Sequence, residues 1–260
     1  MRTRTRIAYN SYTLRDKLKG AEQIEDTLRK SSEIGYRAVE LDLDGMRALD
    51  LSKLKDLLSE IDLTPFAAHV EFDRLRDSFD GVLSDCKHLG VEYVVVPNLP
   101  RDKYCKDAAG YRRGALELAE LSKELRNRGF KFAYHNHARE FEKFDGKVAM
   151  ELIFFEEKED VRLPAEVDVY WVQYAGADPA QWIRRLSGMV PLVHVKDMGM
   201  AQGKQMSTEV GEGNLNWPQI IEACEASEVQ WYIVEQEDFL RDPLECIKTS
   251  KENLNRMGIT

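Results

Sequence analysis

The chain has 260 residues, is 43% hydrophobic and 32% charged, and carries a formal net charge of −9, which suits a soluble globular protein built as one α/β barrel or two small domains. The acidic balance disfavours a general nucleic-acid binder, whose affinity rests on neutralising phosphates. No window approaches the roughly 18 uninterrupted apolar residues that a transmembrane helix needs, so no membrane partner is expected.

The basic opening, residues 1–6, runs into a strand pattern without an apolar core, so no secretory signal is expected. Strand and helix patterns then alternate. Residues 7–12 read as a strand, followed by an amphipathic helix over 21–34 that stops at Gly35. Residues 37–43 and 51–61 are the second strand and its helix; 64–70 and 72–89 are the third pair, ending at Gly90. The fourth pair is 93–97 and a long helix over 104–127, stopped by Gly129. The fifth is 131–136 with a helix at 148–156. The sixth strand, 162–169, precedes a helix opened by Asp178-Pro179, a cap followed by proline at the first turn, and ending near Gly188. The seventh strand is 191–197 with a helix at 217–226, and the eighth is 231–236 with a helix at 243–257.

Eight β-then-α units in a chain of this length predict a (β/α)₈ TIM barrel, with residues 1–260 as one domain. No Gly-x-Gly-x-x-Gly follows the first strand, which argues against a dinucleotide site. The longest irregular piece, 198–216, is rich in glycine and polar residues, and it overhangs the face where such barrels do their chemistry. It is a candidate lid. Cys86, Cys105, Cys224 and Cys246 lie far apart and read as reduced thiols of a cytoplasmic protein, neither a disulfide frame nor a zinc site.

The seventh strand, Pro191-Leu-Val-His-Val-Lys-Asp, is apolar apart from His194 and Lys196 and the aspartate that ends it. Those two lie two apart, so they share one face, and they are costly to bury without partners. Other strands end in the same manner. The first offers Asn10, the second Glu40 and Asp42, the third His69, and the fourth only Asn98. The fifth offers His135, Asn136 and His137 with Glu140 and Glu142 beyond; the sixth Glu166 and Asp168; the eighth Glu235 and Gln236. Four of the five histidines fall at these ends. Carboxylates converging on one mouth repel each other and take up protons unless a cation sits among them. Asp168, His194 and Glu235 lie on adjacent strands, where one ion could bridge them together with a carboxylate from the fifth-strand loop. Such a set suits Mn²⁺, Co²⁺, Zn²⁺ or Mg²⁺.

Six stretches in order resemble the sugar phosphate isomerase/epimerase family of xylose isomerase-like barrels, over essentially the whole chain. They are Ile34-Gly-Tyr-Arg-Ala-Val-Glu40, Tyr134-His-Asn-His137 with Glu140-Phe141, Glu166-Val-Asp-Val-Tyr-Trp171, His194-Val-Lys-Asp197, Glu209-Val-Gly-Glu-Gly213 and Val234-Glu-Gln236. The resemblance implies one divalent metal ion on a Glu-Asp-His-Glu set and proton abstraction beside a sugar carbonyl. Many relatives carry the first metal glutamate inside strand five, where this chain has Tyr134 and His135. Glu140 is therefore assigned to that place, with Glu142 or an imidazole of the His-Asn-His run as alternatives. The metal set is then Glu140, Asp168, His194 and Glu235. In the relatives' manner Glu235 and Glu140 serve as base and acid, with His137 third.

Glu40, His69, His135, Trp171 and Lys196 are candidate substrate contacts, each weighed against a structural role: a buried ion pair for Glu40, a hydrogen bond for His69, core packing for Trp171, a salt bridge to Glu166 or Asp168 for Lys196. Asp197 faces the other way and is expected to hold the neighbouring loop. The expected activity is isomerisation or epimerisation of a sugar, keto-sugar or cyclitol, with a lyase or dehydratase on a keto-glycoside or inosose as the alternative. A barrel endonuclease is disfavoured by the charge, and a metal-free sugar binder by the intact Asp168, His194 and Glu235. No glycine-rich phosphate cradle is evident. Assembly into a homo-oligomer stays open.

Overall fold

The computed structural model describes residues 6–156 and 162–260. The basic opening lies outside it apart from Arg6. Eight parallel strands close a barrel: β1 (Arg6–Asn10), β2 (Ala38–Asp42), β3 (Thr64–His69), β4 (Tyr93–Val96), β5 (Lys131–His135), β6 (Ala165–Asp168), β7 (Leu192–Val195) and β8 (Trp231–Val234), with β8 pairing back onto β1. The expected barrel is the one observed. No helix among the described residues is long and apolar enough to cross a membrane.

Alternation along the strands builds two cores. Outward residues such as Val39, Val94, Phe132, Val193 and Val234 pack against the helices in the main cluster. Inward ones, including Ala8, Ala38, Ala67, Ala133, Leu192 and Ile233, fill the barrel as a separate small cluster. Two residues further along the same inward faces come Asn10, Glu40, His69, His135, His194 and Glu235. The strand period therefore lifts an apolar floor into a polar layer at the C-terminal mouth.

Several elements differ from the sequence reading. The helix expected over 72–89 is two, Phe72–Asp77 and Phe79–Leu89, broken at Ser78, whose ψ of 36° is not helical. The fourth helix divides likewise into Arg101–Tyr104 and Ala108–Asn127, because the Asp107 side chain accepts from the Gly110 N–H and starts a new helix. The sixth strand ends at Asp168, and Val169–Tyr174 is already helical. The candidate lid begins as an antiparallel hairpin, Asp197–Ala201 with Lys204–Thr208. Its turn residues Gln202 and Gly203 have φ of 50° and 75°, the positive values that a two-residue hairpin turn demands. After it, Asp197 accepts from the backbone N–H of Gly211 and Gly213 and from the Trp217 indole at 2.6 Å. A Cβ at Gly213 would meet Asp197 Oδ1 at 2.4 Å, so only glycine permits this approach. All four cysteines are free thiols.

Candidate active site

Asp168 sits at the β6–helix junction and does two jobs. Its Oδ1 caps the helix, accepting from the Trp171 N–H at 3.0 Å, while Oδ2 is buried with no hydrogen-bond partner. Lys196 Nζ stands 3.9 Å from that oxygen, but 3.2 Å from Glu235 Oε2, and it also pairs with Glu237. The lysine's charge thus goes mainly to Glu235. Burial pushes the Asp168 carboxyl up to about 7. Burial acts on Glu235 in the same sense, yet Lys196 and His194 hold it well below the usual range.

His194 is wholly buried and engaged through both nitrogens. Its Nδ1 lies 3.2 Å from Glu235 Oε2; its Nε2 donates to Glu40 Oε2 at 2.7 Å and lies 3.1 Å from Glu166 Oε2. Burial disfavours its charge, but Glu166, Glu40 and Glu235 together raise its pKa well above the ordinary value. His135 places Nδ1 3.0 Å from Glu166 Oε2, and there burial wins, keeping the ring neutral.

Among the described residues two groups of metal-capable donors result, in each of which one atom per residue lies within 4.8 Å of the others: His135, Asp168, His194 and Glu235, and beneath them His69, His135, Glu166 and His194. The fourth residue of the upper group is His135, not Glu140. Glu140 is buried elsewhere: Oε1 accepts from the Tyr134 hydroxyl at 2.9 Å and from Arg139, and Oε2 from the His137 N–H at 2.8 Å. Tyr134 faces out of the barrel into the main core, whereas its neighbour His135 faces in, and Glu140 follows the tyrosine. Glu142 is exposed.

A pocket of about 360 Å³ opens over the group, and His135 and Glu235 belong to both. His69 and His137 line it as well. Burial and the nearby Arg139 push the His137 imidazole down to about 3, and its Nδ1 is buried without a partner. Glu40, Trp171 and Lys196 lie behind the wall. Glu40 takes the buried-pair arrangement with His194 and Asn10, whose amide donates at 2.8 Å. Trp171 packs its ring 4.8 Å from Lys196 Nζ and 5.5 Å from the His137 ring. Tyr12, Asp44, Glu71 and Glu237 complete a strongly acidic lining with Asp42 and Glu235. These four sit just past the strand ends, on loops and short helices whose direction no periodicity reveals.

The fold is shared with solved structures. A sugar phosphate isomerase/epimerase from Parabacteroides distasonis superposes with a TM-score of 0.78 at 20% identity, over 96% of this chain and 93% of that one. An IOLI protein with a bound zinc atom gives 0.74 at 17% identity, over 96% and 97%. The probable 3-DHS dehydratase AsbF from Bacillus anthracis gives 0.70 at 13%, over 96% and 99%. No curated protein matches the chain in sequence. The family model described as xylose isomerase-like TIM barrel matches residues 28–257; with the closed barrel and the polar layer at its mouth, the chain belongs to the xylose isomerase-like TIM barrel family.

Proposed function

We propose that the protein is a divalent-metal-dependent enzyme that moves a proton next to the carbonyl of an unphosphorylated sugar, keto-sugar or cyclitol, giving isomerisation or epimerisation. The observation that carries this reading is the convergence of His135, Asp168, His194 and Glu235 under an acid-lined pocket. Two carboxylates and two imidazoles without thiolate suit Mn²⁺, Co²⁺ or Zn²⁺, with Mg²⁺ the poorer fit. The unpartnered, buried Oδ2 of Asp168 is the kind of atom such an ion satisfies. The zinc of the IOLI neighbour and the isomerase/epimerase name of the Parabacteroides one support the same class.

An ion held there would supply Lewis acidity to a carbonyl and its adjacent hydroxyl, lowering the barrier to removing the proton on the hydroxyl-bearing carbon beside the carbonyl. Glu235, ionised beside Lys196 and exposed to the pocket, takes that proton. Lys196 keeps its charge in a wholly buried position and offsets the negative charge that builds on the substrate as an enediolate forms. His137, neutral and facing the pocket, orients a substrate hydroxyl, and the protonated Glu235 returns its proton to the substrate. Glu140 fixes the loop that carries His137. The acidic lining holds no lysine or arginine among the described residues, which disfavours a phosphorylated substrate and suits hydroxyl groups that donate to carboxylates.

Loss of a β-substituent is the second reading. It draws on His137, an imidazole placed to serve a leaving oxygen, and on the dehydratase among the neighbours. Elemental analysis of the purified protein, joined to solvent-deuterium incorporation across ketoses, 3-keto-glycosides and inososes, tests both. One bound ion with exchange but no elimination supports the isomerase; elimination products support the lyase; no bound ion and no exchange would remove the proposal.

A further inference from the structure

The lower donor group has a use that the upper one requires. Glu166 is wholly buried at the inward end of β6, and a single oxygen, Oε2, faces three imidazoles: His69 Nε2 at 2.9 Å, His135 Nδ1 at 3.0 Å and His194 Nε2 at 3.1 Å. An ionised carboxylate only accepts, so each of these three nitrogens carries a proton. In neutral rings the opposite nitrogens, His135 Nε2 and His194 Nδ1, then hold the free lone pairs. His194 Nδ1 is the nitrogen beside Glu235; by the same rule it carries a second proton in the metal-free protein, which a bound ion displaces.

We infer that Glu166 is a positioning residue of the metal centre: its Oε2 sets the tautomer of His135 and, together with Glu40, that of His194, leaving His135 Nε2 and His194 Nδ1 as the ring nitrogens free to ligate. The inference rests on the metal reading above. At His194 the Nε2 proton goes first to Glu40 Oε2 at 2.7 Å, with Glu166 Oε2 beside it at 3.1 Å, and Glu40 Oε2 also lies 3.3 Å from His69 Nε2. A second ion in the lower group is the rival idea. It would need both shared rings stripped of their remaining protons to bridge two ions, which is a far costlier arrangement than the imidazole–carboxylate contacts already formed at 2.9–3.1 Å. Carboxylates behind ligating imidazoles orient the ring and raise its basicity, and losing one typically costs about 10–100-fold in metal affinity.

The test uses chelator-stripped full-length protein titrated calorimetrically with Co²⁺ and with Zn²⁺, for wild type, Glu166→Gln and His69→Gln. One equivalent in wild type, an affinity about 10–100-fold weaker in Glu166→Gln and near-unchanged in His69→Gln is the expected pattern. In Zn²⁺-loaded wild type, long-range ¹H–¹⁵N spectra of the histidine rings should show His135 protonated at Nδ1 and His194 at Nε2. That readout does not depend on any variant folding, and a merely structural glutamate would not fix it. Wild-type affinity in Glu166→Gln, or the reverse tautomers, overturns this inference and leaves the metal reading standing. Two equivalents in wild type falling to one in Glu166→Gln also overturns it, making Glu166 a ligand. No binding by wild type removes the metal reading and this inference with it.

Discussion

Lys196 Nζ lies 3.2 Å from Oε2 of Glu235, so a buried cation already rests against the carboxylate that the proposed metal would use. The two positive charges compete for one partner. Lys196→Met should therefore tighten metal binding, by about tenfold as an order of magnitude for a like charge at this distance. It should also destabilise the metal-free protein, since breaking a buried pair costs about 3–5 kcal/mol, and added metal should restore much of the lost melting temperature. Turnover should fall about 10²-fold or more if the lysine faces developing negative charge. Calorimetry and thermal melts with and without metal check this; weaker metal binding in the variant would show that Lys196 supports the site instead of competing with it.

The ligand set makes a sharper distinction. His135→Ala, His194→Ala and Asp168→Asn should each lose most bound metal while keeping the circular dichroism of the barrel, whose core comes from other strand positions. Glu140→Gln should change metal affinity much less than His135→Ala, because its carboxylate is spent on Tyr134, Arg139 and the His137 N–H. Glu142→Gln, at an exposed position, should behave as wild type. Elemental analysis of the five variants decides, and a Glu140→Gln protein emptied of metal would return Glu140 to the centre.

Much of this architecture is legible in the residues, and the failures have a common cause. Strand period places Glu40, His69, His135 and His194 on inward faces without any knowledge of the fold, and the glycine stops and Asp-Pro openings mark where helices begin and end. What periodicity cannot report is the direction of a side chain beyond the last strand residue. His137 precedes and Glu140 lies within a short 3-10 turn (Ala138–Phe141), where Glu140 turns outward to Tyr134 and His137 into the pocket. Glu71 and Glu237 reach the pocket from loops for the same reason. Glu166 was visible as a polar strand end, but its part in gathering three imidazoles depends on distances between strands that are far apart in sequence. The split at Ser78 is a local break in the backbone and that at Asp107 a side-chain cap, and an uninterrupted apolar stripe conceals both.

Metal uptake should release protons. Burial holds Asp168 up to about 7, and His194 lies well above its ordinary value through Glu166, Glu40 and Glu235, against its burial. Both must lose their protons to ligate. Below pH 7 two protons compete with the ion, so affinity should fall by up to about a hundredfold per pH unit, one factor of ten for each proton displaced. Above pH 7 Asp168 is already ionised and only the His194 proton remains, so the slope should halve. Titration of Co²⁺ binding from pH 6 to 8.5, in buffers of different ionisation enthalpy, gives the proton count directly. A flat affinity across pH 7 would mean that neither group binds the ion.

Glu235→Gln separates the two roles given to Glu235. Glutamine keeps a coordinating oxygen and the shape of the side chain, but it cannot accept a proton at neutral pH. If the residue only helps to hold the metal, saturating ion should recover most of the activity. If it is also the base, no ion concentration will, because general-base catalysis contributes about 10²–10⁴-fold. The structure sharpens the expectation: Oε2 is the atom taken by His194 and Lys196, and the residue still lines the pocket, so one side chain faces both the donor group and the pocket. The measurement is exchange of the substrate's carbon-bound proton with deuterated solvent, by the metal-saturated variant, with substrate binding followed separately. Loss of exchange with binding retained is the expected result. Exchange at the wild-type rate would assign the proton to another group, and His137, neutral and facing the same pocket, would be the next residue to replace.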